Sequence, residues 1–202
     1  EEMVASADYL NVAIMILMAK IGLGIGPNLG IILNSGWALI LQELGHFLGT
    51  ILFGLPVALL VGMRREAVGA CYSIDREPNI AIITDKYGFD SPEGRGVMGM
   101  YICGTLFGAM WISVLSGFVS GLGILHPYAL AMGSGIGSAS MMAAGTGSIV
   151  ANYPDHAKEV VALAGAANLL TTVIGVYFAL FISLPVMEKA YSLATGRTRE
   201  ED

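Results

Sequence analysis

Uncharged apolar runs alternate with short polar punctuation along the chain. Four runs are long enough to cross about 30 Å of hydrocarbon at about 1.5 Å per helical residue: roughly residues 9–26, 37–63, 97–121 and 159–186. Pro27-Asn28 follows the first, Arg64-Arg65 the second and His126-Pro127 the third, and Glu188-Lys189 closes the fourth. Two segments of a different kind lie between them, 66–87 and 128–153. Each is about long enough to span once, yet each is interrupted. The first is expected to open over Ser73–Asn79, where Pro78 lacks an N–H and disfavours helix at Glu77. The second is expected to open within Gly133–Ser140 and again at Gly145–Ser148.

Charge placement separates crossing from returning. If both broken segments re-enter, Arg64, Arg65, Lys86, Arg95, Lys189, Arg197 and Arg199 all fall on one side and only Lys158 on the other, with Lys20 and Arg76 inside membrane segments. If both segments cross, Lys86 and Arg95 change sides and the asymmetry weakens. The positive-inside rule therefore favours two re-entrant hairpins, the basic side being cytoplasmic. The expected fold is an all-α integral membrane protein with about four transmembrane helices plus two re-entrant segments. It forms a single membrane domain over 1–202, with a polar cytoplasmic tail at 187–202 and both termini cytoplasmic. One span-plus-hairpin unit (37–95) runs opposite in orientation to the next (97–157), an inverted repeat of the kind secondary transporters use. Gly49-Thr50-Ile51-Leu52-Phe53-Gly54 echoes Gly104-Thr105-Leu106-Phe107-Gly108 at corresponding places.

Composition agrees. Hydrophobic residues make up 55% of the 202 and charged residues 13%, about half the charge of a soluble domain; mean hydropathy is +0.70. Twenty-seven glycines suit close helix packing and backbone opened toward a cavity. A net charge of −6 offers no basic stripe for nucleic acid. Cys71 and Cys103 lie in apolar stretches and are expected to be free thiols. The chain begins at Glu1 with no basic run before the first apolar stretch, so no cleavable signal peptide is expected.

Charge inside a membrane marks function by default. Asp75, Arg76, Glu77 and Asn79 crowd the first interruption, where opened backbone and half-helix ends bring partial charges together; the alternative is a solvated cytoplasmic loop. Ser134, Ser138 and Ser140 line the second, with small residues that admit a ligand or pack helices tightly. Glu43 and His46, three apart, share a helix face and suit a proton relay or a buried structural pair. Neither a second Glu-x-x-His nor a His-Glu-x-x-His motif is present, so no metal and no enzyme is expected.

Residues 129–137, Ala-Leu-Ala-Met-Gly-Ser-Gly-Ile-Gly, resemble the Ser-Gly-x-Gly stretch of the bacterial lysine-exporter family. Arg64-Arg65 followed by Ser73-Ile74-Asp75 and Pro78 is similar to that family's basic turn and Ser-x-Asp segment. Over roughly residues 10–185 the chain looks closer still to a functionally unassigned bacterial membrane-protein family, distantly similar to lysine exporters and malonate and hydroxycarboxylate carriers. The resemblance implies a carrier in the bacterial cytoplasmic (inner) membrane. The Asp segment precedes the Ser-Gly segment here, the reverse of the exporter order, so no substrate carries over.

The expectation is thus a secondary active transporter, or its core domain, for a small charged or zwitterionic metabolite. Both hairpin tips would form its site. Na+ or H+ would be the coupling ion, with no other cofactor, and the partners would be the lipid bilayer, the small-molecule substrate and a second copy or partner subunit. A channel-like pore and an accessory subunit of a larger carrier are the alternatives.

Overall fold

The computed structural model describes residues 29–73 and 76–196, with isolated helical positions at Ile16, Ala19 and Leu23. Within it the side chains of 43–48, 76 and 77 are not described. The expected first span, 9–26, therefore falls almost entirely outside the described residues. The described chain is helical, with no strand among the described residues.

In order, α1 is Leu29–Asn34 and α2 is Gly36–Gly49. A π-helical turn, Thr50–Gly54, joins α2 to α3, Leu55–Leu60. Then come α4 (Glu66–Cys71) and α5 (Arg76–Tyr87). α6 (Pro92–Cys103) continues through a π turn, Gly104–Gly108, into α7 (Ala109–Gly121). α8 is Pro127–Gly135 and α9 is Ala139–Asn152. A single 3-10 turn leads into α10 (Ala157–Phe178), a third π turn, Ala179–Ser183, and α11 (Leu184–Thr195).

Two of these continuous helices, Pro92–Gly121 and Pro154–Thr195, are long and apolar enough to cross a membrane. The most apolar stretch of the first is not buried at all, and only 28% of that of the second is. Phe107, Trp111, Phe118, Tyr177 and Phe181 all point outward. A protein facing only water rarely exposes aromatic surface on this scale.

The π turns have an identifiable cause at two places. Pro56 and Pro185 each follow a π turn by two residues. A proline removes one backbone hydrogen bond and crowds the carbonyl four residues back, and a wider turn absorbs both effects. The remaining π turn, Gly104–Gly108, has no such proline. It coincides instead with the Gly-Thr-Leu-Phe-Gly sequence echo, as does the first: both end on Phe-Gly, at Phe53-Gly54 and Phe107-Gly108.

The chain forms two compact units. One comprises the described part of Glu1–Leu39 with Ala109–Leu169, the other Ile40–Gly108 with the described part of Leu170–Asp202. In the first, Ala131, Met142, Ile149, Val160, Leu163 and Ala164 pack α8, α9 and the start of α10 together. In the second, Leu55, Val68, Tyr72, Ile83, Met187 and Tyr191 join α3, α4, α5 and α11.

Glycine permits the tightest crossing of the second unit. A Cβ on Gly69 would lie 2.0 Å from the Glu93 carbonyl oxygen, and one on Gly96 would lie 2.0 Å from that of Glu66. The pairs 69–93 and 66–96 run in opposite senses, so α4 and α6 cross antiparallel with backbones in contact. Gly69→Ala is expected to destabilise by about 1–3 kcal/mol or more, because backbone rather than a flexible side chain must move. Chemical unfolding in detergent micelles checks it.

Candidate functional site

Each broken segment folds back so that its two ends meet. Arg65 stands just before α4 and Tyr87 ends α5, and both reach the same carboxylate oxygen of Glu188. The Arg65 Nη2 donor lies 3.4 Å from Glu188 Oε1, and the Tyr87 hydroxyl donates to that atom in a short hydrogen bond. Burial, and then the Glu188 carboxylate, push the Tyr87 phenol well above the ordinary tyrosine value, so it stays a donor. A straight helix over 66–87 would separate its ends by about 30 Å. In the other unit, the imidazole of His126 before α8 lies 6.2 Å from that of His156 after α9, and Tyr128 stacks edge-on to His156 at 5.7 Å. Both segments are helical hairpins.

The first tip is built by Pro78. A helix continuing from α4 would lose the bond from residue 78 to the carbonyl of residue 74 and clash there. The chain instead leaves the helix at Tyr72 and restarts at Arg76, which places Pro78 in the first turn of α5, where its missing N–H does least harm. The opening is therefore shorter than the sequence suggests, since Glu77, Pro78 and Asn79 are already helical. Tyr72 is fully buried and its hydroxyl donates to the Asn79 carbonyl at 3.0 Å. The Ser183 hydroxyl, at the end of the third π turn, donates to the Tyr72 carbonyl in a short bond.

Two polar atoms at this tip are left over. Asn79 Oδ1, on a side chain in a residue only 3% exposed, and Ser73 Oγ are buried without a hydrogen-bond partner among the described residues. The remaining such atoms, on Gln42 and Thr50, belong to the same unit. A buried carbonyl-type oxygen with no donor is a costly arrangement for a native protein, and it suits a site that takes an ammonium, a water or a metal cation. Asp75 lies outside the described residues, as do the side chains of Arg76, Glu77, Glu43 and His46.

The second tip is fully furnished. Gly135 ends α8 where a Cβ would meet the Ala164 carbonyl oxygen at 2.4 Å, and Gly137 has a φ of +94°, open mainly to glycine. The buried Asn168 of α10 donates through Nδ2 to the carbonyls of Gly135 at 2.9 Å and Gly137 at 2.7 Å. Ser138 caps α9, accepting from the Met141 N–H at 3.4 Å, and its hydroxyl lies 3.1 Å from that of Ser140. The Ser134 hydroxyl turns back onto the Ala131 carbonyl of its own helix at 2.8 Å. All three serines belong to one unit and Asn79 to the other.

The further opening expected at Gly145–Ser148 does not occur, because these residues are helical within α9. Gly145 is there for contact: a Cβ on it would touch Ser134, Ile112 and Ser116 at 3.0–3.1 Å. The Thr146 hydroxyl bonds back to the Met142 carbonyl at 2.6 Å.

One residue escaped sequence reasoning. Glu93, 2% exposed, accepts from Arg65 Nε at 2.8 Å in a buried ion pair at the mouth of the first hairpin. Its sequence setting, Ser91-Pro92-Glu93, reads as an ordinary helix start with acid in the first turn. Asn168, a polar residue in an apolar helix, suits either a cavity or helix–helix hydrogen bonds by sequence, and its two bonds to the α8–α9 break are of the second kind.

Together these features define a helical protein with two helices of membrane-crossing length and two hairpins, each with its tip secured by the last long helix. The chain belongs to the family described as Protein of unknown function (DUF3100), which matches residues 1–193. No curated protein and no solved structure matches it.

Proposed function

We propose that the chain is a secondary active transporter, or the core domain of one, for a small charged or zwitterionic metabolite, coupled to Na+ or H+. The observation that carries this is the first hairpin. A broken segment of an apolar chain folds back so that its two ends meet at Glu188, and its tip leaves Asn79 Oδ1 and Ser73 Oγ buried without partners among the described residues. Irregular backbone within a membrane is tolerated where protein buries it or where it lines a cavity, and paired broken helices are the usual binding elements of carriers.

An inverted arrangement is part of this reading. The first hairpin would enter and leave on one side, and a crossing at Pro92–Gly121, which is long and apolar enough for one, would lead to a second hairpin entering from the other. With spans at 9–26 and 37–63 this makes four crossings and two opposed hairpins. The shared π turns at Thr50–Gly54 and Gly104–Gly108 support a repeat whose sequence trace is those few residues. The motif resemblance of residues 129–137 to the lysine-exporter family is in keeping with this reading. The unpartnered acceptor at Asn79, in a stretch of sequence that also holds Asp75 and Glu77, favours a coupling cation or a substrate amine over a dianion. In this reading Arg76 would meet a substrate carboxylate, and Glu43 with His46 would form a proton path.

The test is uptake into proteoliposomes of the purified chain, with amino acids and hydroxycarboxylic acids offered under imposed Na+ and proton gradients. Saturable uptake that follows the cation gradient is expected, and Asp75→Asn should reduce it at least tenfold. Flux that follows only the substrate's own gradient without saturating would make the protein a pore. Unchanged uptake by Asp75→Asn would remove the first tip from the mechanism.

A further inference from the structure

The mouth of the first hairpin opens into a cavity of about 470 Å³ lined by Arg65, Lys86, Tyr87, Glu188, Lys189 and Ser192. Three of these are cations and one is an anion. The Arg65 charge is committed inward to Glu93 at 2.8 Å and shares Glu188 with the Tyr87 hydroxyl. Lys86 and Lys189 form no ion pair among the described residues, and both are exposed. The Lys86 ammonium is 5.2 Å from the Tyr87 ring centroid, on the cavity side of α5. The lining thus carries two exposed ammonium groups beside a floor where one guanidinium faces two carboxylates, Glu93 and Glu188.

The setting selects the occupant. Lys189 lies where the apolar helix Pro154–Thr195 gives way to polar sequence, and Arg65 and Lys86 lie at the two ends of the hairpin. The helix that carries Lys189 also exposes Phe181, Ile182, Val186 and Leu193, close to it in sequence. Two ammonium groups at a hydrocarbon boundary, next to outward-facing apolar side chains, match a lipid with a phosphate at its head and acyl chains along the helix. Basic pockets between membrane helices on the positively charged side are recurrent sites for anionic headgroups.

We propose that this cavity binds the phosphodiester of an anionic phospholipid, with Lys86 and Lys189 contacting the phosphate oxygens. The lipid pins α5 to α11 and so braces the mouth of the hairpin whose tip carries Asn79. The inference rests on residence in a membrane and not on transport, so its outcome is independent of the uptake assay.

The test uses the purified full chain in a neutral detergent, with membrane residence first checked by retention in alkaline-washed membranes. Its thermal midpoint is titrated with phosphatidylglycerol, with phosphatidylcholine and with inorganic phosphate. Phosphatidylglycerol is expected to raise the midpoint saturably while phosphatidylcholine does not. Lys86→Gln combined with Lys189→Gln should weaken the apparent affinity about thirtyfold, since each lysine near an anionic surface contributes about fivefold. Lys86→Arg with Lys189→Arg should retain it, which separates lost charge from lost folding. Stabilisation by inorganic phosphate at millimolar concentration, lost in the double Gln variant, would keep the phosphate site but overturn the lipid as its occupant. Equal responses to both lipids, or wild-type affinity in the double Gln variant, would overturn the site itself.

Discussion

Glu93→Gln is expected to lower the unfolding free energy of the detergent-solubilised protein by about 3–5 kcal/mol, the usual effect of stripping one partner from a buried ion pair. Arg65 is 5% exposed and Glu93 2% exposed, with Nε donating to Oε1 at 2.8 Å. Without the Glu93 charge, the guanidinium keeps, among the described residues, the more distant Glu188, at 3.4 Å, and the face of Tyr191, whose ring centroid is 5.6 Å away. The ring attraction is too weak to replace a carboxylate. Removing both charges should cost less than removing one. Arg65→Met with Glu93→Leu leaves no uncompensated ion and is expected to recover a substantial part of the loss. A double variant no more stable than Glu93→Gln would mean that the pair is not the source of the effect.

Asn168→Leu is the second large perturbation. Its amide donates to two carbonyls that the break between α8 and α9 frees, those of Gly135 and Gly137. Leucine fills similar space but donates nothing, so both oxygens lose that donor at a buried tip. At about 1–3 kcal/mol for each unsatisfied group, the expected loss is about 2–6 kcal/mol. Ser134→Ala is the contrast: its hydroxyl donates to the Ala131 carbonyl of its own helix, and about 0.5–1.5 kcal/mol is expected. Equilibrium unfolding of both variants in the same micelles distinguishes a residue that supports the tip from one that merely decorates a helix.

The long helices and the positions of the two breaks were legible because they depend on local rules. A proline cannot continue a helix, and Gly137 marks a backbone turn open mainly to glycine. The extent of the breaks was less legible. Pro78 suggested an opening through Asn79, but proline is well tolerated in a first turn, and the helix restarts at Arg76. Gly145 looked like a second opening and proved to be a contact surface, because a glycine that breaks a helix and one that lets helices touch are identical in sequence. The Arg65–Glu93 pair was invisible for a different reason. Its partners are 28 residues apart, brought together by the crossing of α4 and α6 at Gly69 and Gly96, and nothing near Glu93 marks it for burial.

The candidate site divided along the same line. Sequence alone drew attention to Asn79, and the structure adds why: its side-chain oxygen is buried and lacks a donor. The serines at 134, 138 and 140 drew equal attention as hydroxyls near an opening. Their bonds to a helix carbonyl, a helix N-terminus and one another show that such hydroxyls also build the tip.

The measurement closest to the central claim is sided labelling of a single cysteine at Asp90, an exposed position in the turn after the first hairpin. Cys71 and Cys103 would first be replaced by Ala. If 66–87 enters and leaves the membrane on one face, Asp90→Cys reacts with an impermeant maleimide only from the cytoplasmic side, the side that also carries Arg64. Reaction only from the opposite side would mean that the segment crosses, and the opposed-hairpin transporter would be contradicted.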